Sequence, residues 1–277
     1  MSKYKYLILR RLTQFTILFL YFGANVWGWK ILAGNLSFSL LFNKIPLADP
    51  YAVFQMVFAG AVISTDLIIG TLIILLFYAI IGGRAYCSWV CPINLVTDLA
   101  SFVRRITNHQ KDNLINVVKF RKFRYGFLVA MLLASIFVGA AAYEFINPIG
   151  VFTRAVAFSV GFGWMWLVII FIFDAFVLKN GWCGHICPVG AMYSLIGSKS
   201  LIKVKHDKEA CTNCGECLNV CPENQVLTPV IGKKSDFIKG IECTNCGRCI
   251  EVCNDNALKF SIRSFIKGEK NEENSNT

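Results

Sequence analysis

The chain has 277 residues; 55% are hydrophobic, only 16% are charged, and 28 Lys and Arg face 17 Asp and Glu, with a mean hydropathy of +0.53. Soluble domains run near a quarter charged, so this composition reads as a membrane protein with a polar extension. The net charge of +11 reads as anchoring loops; no basic patch accompanies a nucleic-acid motif, so no nucleic-acid partner is expected.

In chain order, four apolar segments approach the roughly 20 residues that cross about 30 Å of hydrocarbon: 12–31, 67–83, 125–143 and 161–178. Two weaker stretches, 51–63 and 145–160, read as interfacial or re-entrant pieces. Lys3, Lys5, Arg10 and Arg11 precede the first segment. Arg84, Arg104, Arg105, Lys111, Lys119, Arg121, Lys122 and Arg124 lie between the second and third, and the other two connections carry few cations. The positive-inside rule then makes both termini cytoplasmic. The expectation is an all-α membrane domain over residues 1–199, four transmembrane helices in two repeated hairpins, in a multi-pass protein of the cytoplasmic (inner) membrane.

Twelve cysteines in four tight groups argue against a disulfide framework and for metal ligation in a reducing compartment. Each even-numbered apolar segment is followed by Cys-x-x-x-Cys-Pro, as Cys87, Cys91, Pro92 and as Cys183, Cys187, Pro188. Proline suits the first turn of a helix. Cys91 and Cys187 would then sit at helix N-termini, where the dipole favours thiolate, with Arg84 and Lys179 acting in the same direction. The four are candidate redox or metal thiols; a third cluster, a transient metal and dithiol chemistry all stay open.

From residue 200 the chain turns polar. Cys211-x-x-Cys214-x-x-Cys217-x-x-x-Cys221-Pro222 is the bacterial ferredoxin run, repeated as Cys243, Cys246, Cys249 and Cys253. In such runs three cysteines grip one cubane and the fourth reaches its neighbour. Cys211, Cys214, Cys217 and Cys253 are therefore assigned to one [4Fe–4S] cluster, and Cys243, Cys246, Cys249 and Cys221 to the other. Gly215 and Gly247 fit the tight loops, and Asn254 stands where proline is usual. Paired zinc knuckles do not produce four-cysteine runs in register. Residues 200–262 are expected to form a small α+β two-cluster domain, and 263–277 a disordered polar tail.

Two adjacent cubanes on a membrane block suggest electron exchange with the quinone pool. Haem is not expected: His109, His185 and His206 all lie outside the apolar segments, and no Cys-x-x-Cys-His occurs. Without a Gly-rich dinucleotide fingerprint, neither is flavin. Quinol oxidation needs a proton acceptor, and Asp174, an acid inside the fourth apolar segment, is the candidate.

This combination of two Cys-x-x-x-Cys-Pro motifs and a C-terminal two-cluster ferredoxin run resembles the NapH family, the membrane-bound ferredoxin-type quinol dehydrogenase subunit of the periplasmic nitrate reductase system. The resemblance spans the chain from Arg10 to about Ser261. It implies oxidation of menaquinol or ubiquinol, with electrons passing through a periplasmic ferredoxin-type partner and a cytochrome c towards nitrate reductase. The competing reading is a factor that reduces copper or iron, or assembles a respiratory metalloenzyme.

Overall fold

The first helix, α1 (Lys5–Val26), turns Arg10, Gln14, Tyr21 and Gly23 inward and leaves Ile8, Leu12, Phe15 and Phe19 exposed. This computed structural model describes residues 4–107, 121–158 and 163–263. After α1 the chain forms a three-stranded antiparallel meander, β1 (Leu32–Gly34), β2 (Phe38–Leu41) and β3 (Ile45–Ala48). Asp49 then caps α2 (Pro50–Phe58) by accepting from the Ala52 N–H, with Pro50 in the first turn, where its missing donor is harmless. Ser64 caps α3 (Thr65–Ile81), which stops at Gly82, φ +130°. The short α4 (Ala85–Trp89) leads to α5 (Ile93–Ile106). Next come α6 (Phe123–Val138), ended by the left-handed Gly139, and α7 (Pro148–Phe158). Helix α8 (Gly163–Ile172) widens into a π-turn at Phe173–Val177, and a second π-turn spans Trp182–Ile186 before α9 (Pro188–Ile196).

The polar part is built on β4 (Ile202–His206), which pairs antiparallel with both β5 (Asp236–Phe237) and β6 (Leu258–Ile262). Two five-residue helices, α10 (Glu216–Val220) and α11 (Arg248–Val252), pack against each other, and α11 also touches β6. Two apolar cores result. One gathers Tyr51, Tyr78, Tyr86, Tyr143, Tyr193, Cys91 and Cys187; the other gathers Val204, Val226, Leu227, Ile238, Cys217 and Cys249.

The four-span, all-α expectation is corrected by this architecture. Among the described residues only α1 is long and apolar enough to cross a membrane, by length and composition; the apolar helices Thr65–Ile81, Phe123–Val138 and Trp164–Val177 are shorter. At 1.5 Å per residue, the 17 residues of α3 reach roughly 25 Å, short of about 30 Å. Hydropathy counts apolar residues without seeing where the helix stops, and here Gly82, Gly139 and the π-turn stop it. The fold is instead largely a globular α+β arrangement with buried ion pairs, and the multi-pass inner-membrane localisation falls with the spans that carried it. The stretch 51–63, expected at an interface, holds the buried Tyr51, Ala52 and Val53 of α2. Arg10, expected to be an anchoring cation, is fully buried. The expected disordered tail, apart from Arg263, lies outside the described residues.

Gly83 and Gly197 let the end of α3 meet the end of α9. A Cβ on Gly83 would fall inside the contact shells of the Tyr193 carbonyl and the Gly197 amide, both backbone atoms that cannot swing aside. Gly83→Ala is therefore expected to destabilise the fold by about 1–3 kcal/mol, the usual range for overpacking, read as a lower thermal unfolding midpoint.

Candidate metal centres

Each ferredoxin run opens with the same five residues, Cys-Thr-Asn-Cys-Gly. The backbone repeats with them: Asn213, Gly215, Asn245 and Gly247 all adopt positive φ. This pairing of left-handed turns curls three cysteines around one point, and Asn and Gly are the residues that accept such angles most readily. Helices α10 and α11 follow. The fourth cysteine closes its helix instead of opening another, since Cys221 and Cys253 are the C-caps. Five helical residues carry the chain roughly 7.5 Å from one ring to the other.

The cysteines divide around two cavities. One is lined by Cys221, Cys243, Cys246 and Cys249 with Arg248 and Glu223. The other is lined by Cys211, Cys214, Cys217 and Cys253 with His206 and Asp255. Among the described residues no three His, Cys, Asp or Glu side chains close on a single ion. Cys217 lies in the field of Cys214, Cys253 and Cys211. Cys249 feels Cys246, Cys243 and Cys221, and also Cys217 across the divide, so the rings are neighbours. The Cys211 ring faces out, with Cys214 exposed, while Cys246 and Cys249 are buried.

The inner ring carries a buried cation, Arg10, whose one ion pair among the described residues is a long one, Nη1 to Asp98 Oδ2 at 3.9 Å. None of the three guanidinium nitrogens of Arg10 has a hydrogen-bond partner, and all are buried. Its electrostatic neighbours include Cys246, Asp98 and Arg248. An anionic group among these sulfurs would satisfy it, as four thiolates on an iron–sulfur core would.

The same ring is fixed to the Cys87–Cys91 turn. Ser88 Oγ donates to the Thr244 carbonyl at 2.7 Å, Trp89 Nε1 donates to the Asn245 carbonyl at 3.0 Å, and Asn245 Nδ2 donates to the carbonyls of Ile81 and Ile202, both at 2.9 Å. Beside it lies a buried ion-pair network. Arg84 Nη1 meets Glu223 Oε1 at 2.7 Å and the Glu242 carbonyl at 2.9 Å, and Nη2 donates to the Cys183 carbonyl at 3.1 Å. Arg121 pairs with Glu223 and Arg124 with Glu242, while Arg124 Nη1 also donates to the Gly184 carbonyl at 3.3 Å. Burial pushes the Arg121 guanidinium down to about 10, which leaves it charged at neutral pH. Glu223 follows Cys221-Pro222 and Glu242 precedes Cys243; these carboxylates, missed in the sequence, tie the ring to both Cys-x-x-x-Cys turns.

The thiolate expectation for those turns is corrected. Helix α5 follows Pro92, and α9 is capped by Cys187, whose Sγ accepts from Gly190 N–H at 3.5 Å. Burial nevertheless outweighs the helix end and raises the Cys187 thiol to about 11, against the lowering pull of Gly190 N–H and Arg84. Burial likewise pushes Cys91 and Cys183 well above the ordinary thiol value. Lys179 Nζ donates to the Asn219 carbonyl at 3.2 Å. All twelve cysteines are free of disulfides.

Asp174 sits in the π-turn, 1% exposed. Its Oδ1 accepts from the Trp182 N–H at 3.0 Å, and its Oδ2 is buried without a partner. Burial raises its carboxyl to about 7, against the Trp182 and Gly181 N–H groups and Arg104. Its field reaches Cys183. Asp49, not singled out in the sequence, is a second buried acid raised to about 7 by burial and Glu144, and accepts from Tyr193 Oη at 3.1 Å.

The chain matches two family descriptions, a 4Fe–4S binding domain over residues 63–108 and again over 156–206, and a 4Fe–4S dicluster domain over residues 203–254. It is 43% identical over 235 residues to the ferredoxin-type protein NapH of Haemophilus influenzae, covering 84% of this chain and 80% of that one. It is 39% identical over 229 residues to the methylamine utilization ferredoxin-type protein MauN of Methylorubrum extorquens, covering 82% and 78%. The NapH of Escherichia coli K12 is 41% identical, covering 84% and 80%. No solved structure matches the chain. The two groups are too nearly equal in identity to choose between them. The chain belongs to the family of ferredoxin-type iron–sulfur electron-transfer proteins that contains these relatives.

Proposed function

We propose that the chain is the subunit that oxidises a quinol and passes the electrons, through a ferredoxin-type partner, towards a periplasmic nitrate reductase. In this reading residues 200–262 are the cluster-bearing unit. Cys221, Cys243, Cys246 and Cys249 hold the inner [4Fe–4S] cluster and Cys211, Cys214, Cys217 and Cys253 the outer one. When bound, the clusters supply one-electron relay. A quinol releases two protons and two electrons on becoming a quinone. Asp174 accepts the protons one at a time at Oδ2, while the exposed ring around Cys214 offers the exit to a partner.

The observation that carries this reading is that Asp174 Oδ1 accepts from the N–H of Trp182, the residue before Cys183, at 3.0 Å, in the turn that Arg84 links to the inner ring. The other side of the same helical stretch exposes Ile169, Ile172, Phe176 and Val177, apolar surface suited to a quinol. A base must be deprotonated to accept. With its carboxyl near 7, Asp174 should make quinol-dependent cluster reduction rise as pH climbs through about 7. Asp174→Asn should lose that rise and slow the reaction by about 100-fold or more, with dithionite-reducible iron unchanged. A variant that keeps both rate and pH profile contradicts the assignment. The stability sign is opposite. Between about pH 4 and 7 the native carboxyl holds a proton that an unfolded one, with its ordinary value of 3.8, releases. The parent should therefore lose stability between about pH 4 and 7 relative to Asp174→Asn.

A further inference from the structure

The Cys-x-x-x-Cys turns are unused by the two ferredoxin rings, yet both lie in stretches that match a 4Fe–4S binding domain. Residues 63–108 contain only Cys87 and Cys91, and residues 156–206 only Cys183 and Cys187. Neither stretch alone has four sulfur ligands. The fold brings the two halves together. Cys91 lies in the field of Cys87 and Cys187, Cys183 in that of Cys187, Cys91 and Cys87, and Cys187 in that of Cys87. All four thiols pack in one apolar core, Cys91 and Cys187 within it and Cys87 and Cys183 against it, each in the field of the other three.

The shell around them turns phenol donors towards sulfur. Tyr51 and Tyr143 are fully buried; the Tyr51 hydroxyl has no hydrogen-bond partner among the described residues and lies in the field of Cys187, while the Tyr143 hydroxyl reaches the Cys187 thiol. Tyr78 and Tyr86 neighbour Cys87 and Cys91, and Tyr86 stacks on Tyr193 with centroids 4.5 Å apart. Two buried phenol donors, one of them unpartnered, beside four soft ligands suit sulfide and thiolate acceptors, and hydrogen bonds to such sulfurs tune cluster potential.

We infer that Cys87, Cys91, Cys183 and Cys187 together hold a third [4Fe–4S] cluster, shared between the two repeated halves and roofed by Tyr51 and Tyr143. Binding replaces four thiol protons by four Fe–S bonds. Bound there, such a cluster would supply one-electron transfer next to the inner ferredoxin ring, to which Ser88 and Trp89 hold the Cys87–Cys91 turn. This inference rests on reading the chain as an iron–sulfur relay between a quinol and the outer ring.

The test is the iron and acid-labile sulfide content of the anaerobically isolated full chain, with Mössbauer spectroscopy. About twelve irons and twelve sulfides per chain are expected. Cys87→Ser with Cys183→Ser should lower both to about eight and leave the ferredoxin-type EPR signals unchanged. About eight in parent and variant alike overturns this inference and spares the two-ring reading. Stoichiometric copper or zinc on the four thiols overturns it as well, and no cluster iron at all overturns both. If the double variant fails to fold, Tyr143→Phe carries the test. It should keep about twelve irons and lower the midpoint potential of one cluster alone; unmoved potentials count against the site.

Discussion

Replacing Cys221 by Ser should empty the ring lined by the second cysteine run and leave the ring lined by its own run filled. Cys221 is close in sequence to Cys217, but α10 carries it to the cavity of Cys243, Cys246 and Cys249. Its electrostatic neighbours are Cys246 and Cys243, not Cys211 or Cys214. Loss of a thiolate ligand should cost the chain about four irons. The crossing can be read from double variants. Cys221→Ser with Cys243→Ser should lose no more iron than Cys221→Ser alone, because both act on one cluster. Cys221→Ser with Cys217→Ser should lose about twice as much. The reverse pattern would show that each run holds its own cluster.

Replacing Glu223 by Ala should be among the most destabilising single changes. Glu223 is 2% exposed and its carboxylate meets Arg84, Arg121 and Arg124. Glu242, already committed to Arg124 and Gln225, cannot neutralise three guanidinium groups. Removing one partner from a buried pair leaves an uncompensated charge, a loss of roughly 3–5 kcal/mol. In a chain of this size that is on the order of 10 °C in the unfolding midpoint. Glu223→Gln keeps the shape, and through Oε1 one acceptor for Arg84, so its loss should be smaller. An Ala variant within about 1 kcal/mol of the parent would mean that the arginines find other partners and that the network does not fix the inner ring.

The cysteine spacing made the division into two groups of four legible, because ligand number and reach are local properties of a short loop. The tight turns were legible for the same reason: Gly215 and Gly247 stand where positive φ is needed. The helix count was not. Residues 67–83 read as a span because Leu and Ile dominate, but length is decided by Gly82, whose backbone ends α3. The thiolate expectation failed because a helix N-terminus is visible in the sequence and burial is not. Arg84 and Glu223 were overlooked as a pair because 139 positions separate them. Only the fold makes them neighbours, although each stands close to a cysteine that the sequence had already marked. Asp49 was hidden more thoroughly, since a helix cap at the surface and one in a tyrosine-lined core have the same sequence.

The central claim is that two adjacent rings of four sulfurs hold two iron–sulfur cubanes in contact with one another. EPR of the anaerobically isolated protein, reduced with dithionite, tests it most directly. The account predicts [4Fe–4S] signals broadened and split by mutual spin coupling, as the placing of Cys217 and Cys249 in one core between two packed helices implies. Protein without acid-labile sulfide, or with the uncoupled signal of a single isolated cluster, would contradict it.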